Sequence, residues 1–261
     1  FSSALPALLK LHEHEAQVAE QHSHWREAVN HLGSVVLSQP GSWSAYARRG
    51  RASAELFEWT NALTDFSRCL ELGGDRARLL PFIADLQLVV GDTNGFRATC
   101  AALLDGQAAV PQDGHELLPM WFCALEPESP LLPRAAAMAE GAAHQSPGNA
   151  RALTTLGAIR YRQGRYLEAW DRLQAAMAAM APETDPYAML FMALSAQRAG
   201  RPDDARRLLS QAAIARIPRR DRSPTGELPR FRLLWEDQIE WNGLYTEAQT
   251  LLAASTKAAS P

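Results

Sequence analysis

Lysine is almost missing from this chain. Of its 26 basic residues only Lys10 and Lys257 are lysines, and the rest are arginine. The arginine fork makes bidentate bonds to carboxylates and phosphates, so the bias admits an Arg-lined binding face; GC-rich codon usage is its plainer source. Cysteine is sparse too. Cys69, Cys100 and Cys123 form an odd, widely spaced set without a C-x-x-C pair, which argues against a disulfide framework and for a reducing, cytoplasmic setting. No apolar run approaches the length needed to span a bilayer. The formal net charge of −3 gives no general attraction to nucleic acid or an anionic membrane. Equally absent are a G-x-S-x-G elbow, a Gly-rich phosphate loop and the zinc-protease spacing H-E-x-x-H. The expectation from these absences is a non-catalytic chain without cofactor or metal. The chain starts at Phe1 without a Met, and a longer parent chain is one alternative kept open.

What is present is a repeat. With 261 residues and 47% apolar content, the chain can bury a sizeable core as one long domain or two short ones. In the stretch "LGAIRYRQGRYLEAWDRL" a marker alanine, Ala169, follows Tyr166 by three positions. The same register gives Ala28 after Trp25, Ala62 after Trp59, then Phe96, Ala135, Ala205, and Ala248 after Tyr245. Successive spacings are 34, 34, 39, 34, 36 and 43 residues. Four positions after the marker stand Leu32, Phe66, Leu173, Leu209 and Leu252; seven after it, Val35, Cys69, Ala142, Ala176 and Ala212. Breakers follow at Pro40, Gly74, Pro147, Pro182 and Pro218, while Gly91, Gly164, Gly200 and Gly243 precede the marker by five, where a tight turn would need them. Twelve before it are the small residues Ala16, Gly50, Ala84, Gly157 and Ala193.

Each unit reads as two short amphipathic helices, since Tyr166, Ala169, Trp170, Leu173, Ala176, Met177 and Met180 recur at helical spacing. Small residues at Gly157 and Ala169 predict a close antiparallel contact. One hairpin cannot cover both of its apolar faces, so neighbours must stack. The fold class expected is all-α, a solenoid of about seven hairpins.

This pattern resembles the tetratricopeptide repeat, with its 34-residue unit carrying Leu-Gly on the first helix and Ala-aromatic-Ala-Pro on the second. The units at 150–183, 43–76 and 186–219 match it best. A looser likeness, in "VVGDTNGFRATCAALL" and "ALSAQRAGRPDDARRLL", is to the repeat-rich C-terminal tails of large bacterial Ser/Thr-kinase or WD-repeat proteins; it implies a regulatory or substrate-docking tail of a larger enzyme as the competing function. The resemblance implies a right-handed superhelix. Its expected parts are N-terminal units at 1–110, a degenerate fourth unit and bend at 111–149 (rich in proline), units five and six at 150–219, and a loop insertion with a capping hairpin at 220–261.

Four constellations carry potential chemistry. Glu20, His24, Glu27 and His31 share a helical face suited to a metal, but the repeat register sets the turn at about residues 21–24, which splits them. The carboxylates Glu27, Glu168, Asp203, Asp204 and Glu247 fall at the starts of second helices, where acids offset the positive end of the dipole. Arginine clusters at Arg48, Arg49 and Arg51, at Arg160, Arg162 and Arg165, and at Arg216, Arg219, Arg220 and Arg222 lack the repeated polar pair of a base-reading helical repeat.

The fourth constellation is the groove. In the family this sequence resembles, the first helices line a concave surface that binds peptides or partner proteins. Here that surface would carry Ser44, Ala47, Arg51, Glu55, Arg151, Thr154, Tyr161, Arg162, Tyr187, Leu190, Leu194, Gln197 and Arg198. Its arginines suit an acidic partner, or else pair with neighbouring repeats. The positions equivalent to the family's carboxylate-gripping Lys and Asn hold Glu13, Gln17, Ala47, Arg51, Pro81 and Asp85, which argues against a chaperone-tail adaptor. Self-association through the end repeats is a further expectation.

Overall fold

The computed structural model describes residues 4–106, 117–181, 184–216 and 235–258. Among them are thirteen helices and no strand. They divide into two compact units, Phe1–Thr99 and Cys100–Pro261, parted within one helix. The first unit holds the hairpins α1 (Ala4–Gln21) with α2 (Trp25–Ser38) and α3 (Trp43–Glu55) with α4 (Trp59–Glu71). It continues with α5 (Arg76–Val90) and the start of α6 (Thr93–Gly106). The second unit has α7 (Leu118–Leu125) with α8 (Leu132–Gln145), α9 (Ala150–Arg162) with α10 (Tyr166–Met180), and α11 (Pro186–Arg198) with α12 (Pro202–Arg216). A single long helix, α13 (Trp235–Ala258), closes it. No described helix is long and apolar enough to cross a membrane.

The marker position holds each stack together. Ala28, Ala62, Ala135, Ala169, Ala205 and Ala248 are all fully buried. Opposite Ala169, Gly157 lets α9 and α10 approach so closely that an added Cβ would stand 2.6 Å from Leu173 Cγ. Helices in successive hairpins then pack on one another, α2 on α3, α4 on α5, α8 on α9 and α10 on α11.

Every regular hairpin turns through one left-handed residue five positions before the marker. Gly91, Gly164 and Gly200 take φ of 78°, 76° and 74°; Ser23 and Phe57 hold the same place at 58° and 61°. An L-residue costs roughly 1–2 kcal/mol there, so the first two units accept a strain that glycine removes from the others. In the fourth unit Pro130 occupies that place, its ring locks φ negative, and the chain turns instead through Ser129, whose carbonyl accepts from the Leu132 N–H at 3.2 Å. Pro119 lies in the first turn of α7, where its missing N–H is no loss.

The first helices α3, α5, α9 and α11 start at side-chain caps. Asp75 accepts from the Ala77 N–H at 3.0 Å, Asn149 from Ala152 at 3.1 Å and Asp185 from Tyr187 at 2.9 Å. Such caps contribute about 1 kcal/mol each.

The seventh unit departs from the register reading. No turn forms at Gly243, which lies inside α13. A lone glycine costs a helix only about 1 kcal/mol, and burial of Trp235, Ile239, Trp241, Leu244 and Ala248 along one helix outweighs it. Glu247 is therefore mid-helix and not at a helix start as its register position predicts. The loop "IPRRDRSPTGELP" with Pro218, Arg219, Arg220 and Arg222, like Pro182, lies outside the described residues.

Candidate interaction surface

In the second unit the first helices α7, α9 and α11 pack side by side, and α13 lies against α7 and α11 and reaches α9 through its side chains. The layer expected to form an open groove is thus covered by the chain's own C-terminal helix.

The contacts are aromatic and ionic. Trp121 of α7 meets the rings of Tyr187 and Phe191 edge-on, with centroids 5.5 and 5.8 Å away. Its indole N–H donates to Glu240 Oε2 of α13 at 2.9 Å. Tyr187 also meets Trp241 edge-on at 6.0 Å, and its hydroxyl donates to the Asp237 carbonyl at 3.1 Å. Arg216 donates to that carbonyl at 2.8 Å and lies 5.1 Å from the Trp241 ring centroid. At the other end Arg162 grips Glu247 with two N–H donors, at 2.5 and 2.7 Å, and donates from Nε to the Ala124 carbonyl at 2.7 Å. The Arg162 guanidinium also lies over Tyr161 and Phe191. Only 2% of its side chain is exposed, against 29% for Glu247. The pair is bidentate, stacked on rings and, on the arginine side, shut away from water, the geometry in which an arginine–carboxylate bond is strongest.

Burial sets the acid–base character of this seam. The Glu240 carboxyl is pushed up to about 7, by desolvation first; the Trp121 hydrogen bond and Arg151 work against the rise, and Asp237 and Glu236 add to it. Burial likewise raises the Tyr187 hydroxyl, helped by Glu240 and Asp237, and the Tyr161 hydroxyl, helped by Glu247.

The sequence-derived groove residues consequently separate. Tyr161, Arg162 and Tyr187 are committed to one another and to α13. Thr154 is buried and donates to Asp185 at 3.0 Å, tying α9 to the cap of α11. Leu190 and Leu194 are fully buried. Gln197 is half-buried, and Arg151 and Arg198 are exposed; the Arg198 guanidinium works against the burial that raises the Tyr161 hydroxyl. In the first unit Ser44 and Arg51 are exposed, Ala47 and Glu55 half-buried, and Asp85 buried. Trp121, Arg216, Asp237, Glu240 and Trp241 were not among the expected residues. For Asp237, Glu240 and Trp241 the one signal is the density of aromatics and acids in "WEDQIEWNGLY".

Four further arginines of the sequence clusters have intramolecular partners, while Arg219, Arg220 and Arg222 lie outside the described residues. Arg48 binds Glu20 at 2.6 Å, Arg49 binds Asp65 at 2.6 Å, Arg160 pairs with Glu140, and Arg165 reaches Glu168 at 2.5 Å. Of the histidine set, His31 Nδ1 lies 3.0 Å from His12 Nδ1 and His24 lies 3.4 Å from Glu27. The turn at residues 22–24 separates Glu20 from His24, and among the described residues no group of three ligating side chains converges. Glu168, Asp203 and Asp204 stand in the first turns of α10 and α12.

No family model and no curated protein matches this sequence. Solved structures do. A tetratricopeptide repeat protein from Parabacteroides merdae superposes with a TM-score of 0.65 at 12% identity, over 98% of this chain and 94% of that one. PilW, a widely conserved type IV pilus biogenesis factor, gives 0.54 at 16% identity over 90% and 97%. YrrB, a TPR protein with an unusual peptide-binding site, gives 0.52 at 12% identity over 67% and 86%. With its hairpin register, buried marker alanines and left-handed turns, this chain has the all-α tetratricopeptide-repeat fold.

Proposed function

We propose that the chain is a non-catalytic interaction scaffold, cytoplasmic, that binds a protein or peptide partner of acidic character on its first-helix layer. The observation that carries this reading is the second unit's seam: the layer there holds a helix bearing Glu236, Asp237, Glu240 and Glu247 against Arg162 and Arg216. A surface that accommodates such a helix from its own chain has the chemistry to recognise one from another. YrrB, of the same fold, has a peptide-binding site, which adds to the case. The residues offered to the partner are Arg51 and Glu55 in the first unit, and Arg151, Thr154, Tyr161, Arg162, Tyr187, Gln197 and Arg198 in the second. The first-turn positions of Glu168, Asp203 and Asp204 supply a structural account of those carboxylates, and the net charge of −3 disfavours nucleic acid and anionic membrane as partners.

The test is affinity enrichment from the source cell, read by quantitative mass spectrometry. It compares the wild type with Arg51→Glu and with Arg151→Glu/Arg198→Glu, exposed positions that leave the Arg162–Glu247 pair intact. A protein retained by the wild type and lost by either variant supports the reading and assigns the unit; equal recovery by all three moves the interface off this layer. A second reading, self-association through the end repeats, draws on Leu8 and Leu11 of α1, both half exposed. A strictly monomeric mass in light scattering at high concentration would remove it.

A further inference from the structure

We infer that the first-helix layer of the second unit is a receptor for an acidic amphipathic helix carrying aromatic anchors, and that α13 is its resident ligand in cis, displaced when a partner helix of the same chemistry binds. This deepens the proposed function and rests on it.

The template is explicit. Trp235, Ile239, Trp241 and Leu244 face inward, with Glu240 and Glu247 set among them. The receiving side answers three of these: Tyr187 and Arg216 for Trp241, the Trp121 indole N–H for Glu240, and the Arg162 fork for Glu247. An occupant therefore needs a buried carboxylate seven positions from a second one, with an aromatic beside the first and an aliphatic residue between. Charge complementarity of this kind selects partners as well as binding them.

Three features make α13 replaceable. It carries Asn242-Gly243 in its middle, so its free form is a poor helix. It buries Glu240 against a neutral indole N–H while Glu236 and Asp237 crowd the same carboxyl, so a partner that spares this crowding gains on it. And eighteen residues join Arg216 to Trp235, a covalent span of up to about 60 Å at full extension, enough for α13 to leave the layer while staying attached. Tethering of this kind gives the cis helix an effective concentration on the order of millimolar, which sets the bar a competitor must pass.

The experiment uses the full chain and a fluorescent peptide of residues 235–258 as the probe. Trp241→Ala/Glu247→Ala weakens the cis helix without touching the receiving residues. The peptide is expected to bind this variant at least about ten-fold tighter than the wild-type chain, and a peptide bearing Glu247→Lys is expected to lose about ten-fold or more. Equal binding to both chains, or none to either, overturns the inference. Should the variant fail to fold, hydrogen exchange on the wild type decides: a latch exchanges by local opening, with α13 amides at least about 100-fold less protected than those of α9 and α11. Matched protection makes α13 an integral wall and overturns it. A dimer in light scattering that requires α13 gives the layer to a second copy and overturns the foreign-helix reading. Peptide binding without any recovered partner defeats only the broader function; a partner lost on Arg51→Glu without peptide binding defeats only this inference.

Discussion

The two compact units share one repeat register and treat it differently. Seven positions before the marker, the first unit places Glu55, half-buried, and the second places Arg162 and Arg198. Arg162 is shut beneath Glu247 of α13 with 2% exposure; Arg198, one hairpin on and in the same register, is exposed. Arg51, one turn earlier on a first helix of the other unit, is exposed as well. Repeat position sets the direction in which a side chain leaves its helix. Whether it meets water depends on what lies across that face, and among the described residues only the second unit brings a helix there.

That comparison breaks most visibly at Arg162. Arg162→Met is expected to destabilise the chain by about 3 kcal/mol, because it strands Glu247 in a mostly dry seam, whereas Arg51→Met is expected to stay within roughly 0.5 kcal/mol as a surface change. Denaturant titration reads both, and similar values for the two would remove the distinction between the units.

Next in size is the helix contact at Gly157. Gly157→Leu forces a side chain into space held by Leu173 and is expected to cost about 1–3 kcal/mol. Gly33→Ala in α2 meets nothing within 4 Å and is expected to gain a few tenths to about 1 kcal/mol. Unchanged thermal unfolding of the first variant would refute the close packing of α9 on α10.

The seam also answers to pH. Glu240 faces Trp121 of α7, Arg151 of α9, Tyr187 of α11 with its neighbour Arg216, and Glu236 and Asp237 of its own helix. Its carboxyl holds its proton up to about 7 when docked, against an ordinary value of 4.5. The docked form binds the proton more tightly, so docking is favoured at the acid end and weakens as pH rises from about 4.5 to about 7, then levels off. Exchange protection of α13 is expected to fall across that window in the wild type and to stay level in Glu240→Gln.

The smallest effect concerns the turns. Ser23 sits in the left-handed place that glycine holds in the third, fifth and sixth hairpins. Ser23→Gly is expected to stabilise by about 0.5–1 kcal/mol, seen as a raised melting temperature. Gly164→Ala, its counterpart in the second unit, is expected to lower it. A Ser23→Gly protein no more stable than wild type would mean that the serine compensates its own strain.

Most of the fold was open to sequence reading because close helix contacts leave local marks. Gly157 and the marker alanines are small where helices touch, and Gly91, Gly164 and Gly200 stand where the chain turns left-handed. These constraints act over a few residues and repeat, so periodicity exposes them. The same logic misread Gly243. Its spacing matches a turn, but glycine merely permits a turn, and burial of Trp235, Trp241 and Leu244 on one continuous face decided otherwise. The fourth hairpin's proline-rich departure was also visible, since Pro130 cannot take the left-handed place.

The surface was much less legible. Its residue types were recognisable on the first helices, and Tyr161, Arg162 and Tyr187 do come together. Their occupant was not, because Glu247 is 85 residues from Arg162 and Glu240 is 119 from Trp121, and no periodic signal spans such separations. By itself the sequence determined an all-helical stack of hairpins, its register and its close contacts, all consequences of local sterics and short-range packing. The tertiary structure alone decided that α13 covers the layer of α7, α9 and α11, and so which arginines are exposed, because that outcome depends on long-range burial that one helix gains only against three others already in place.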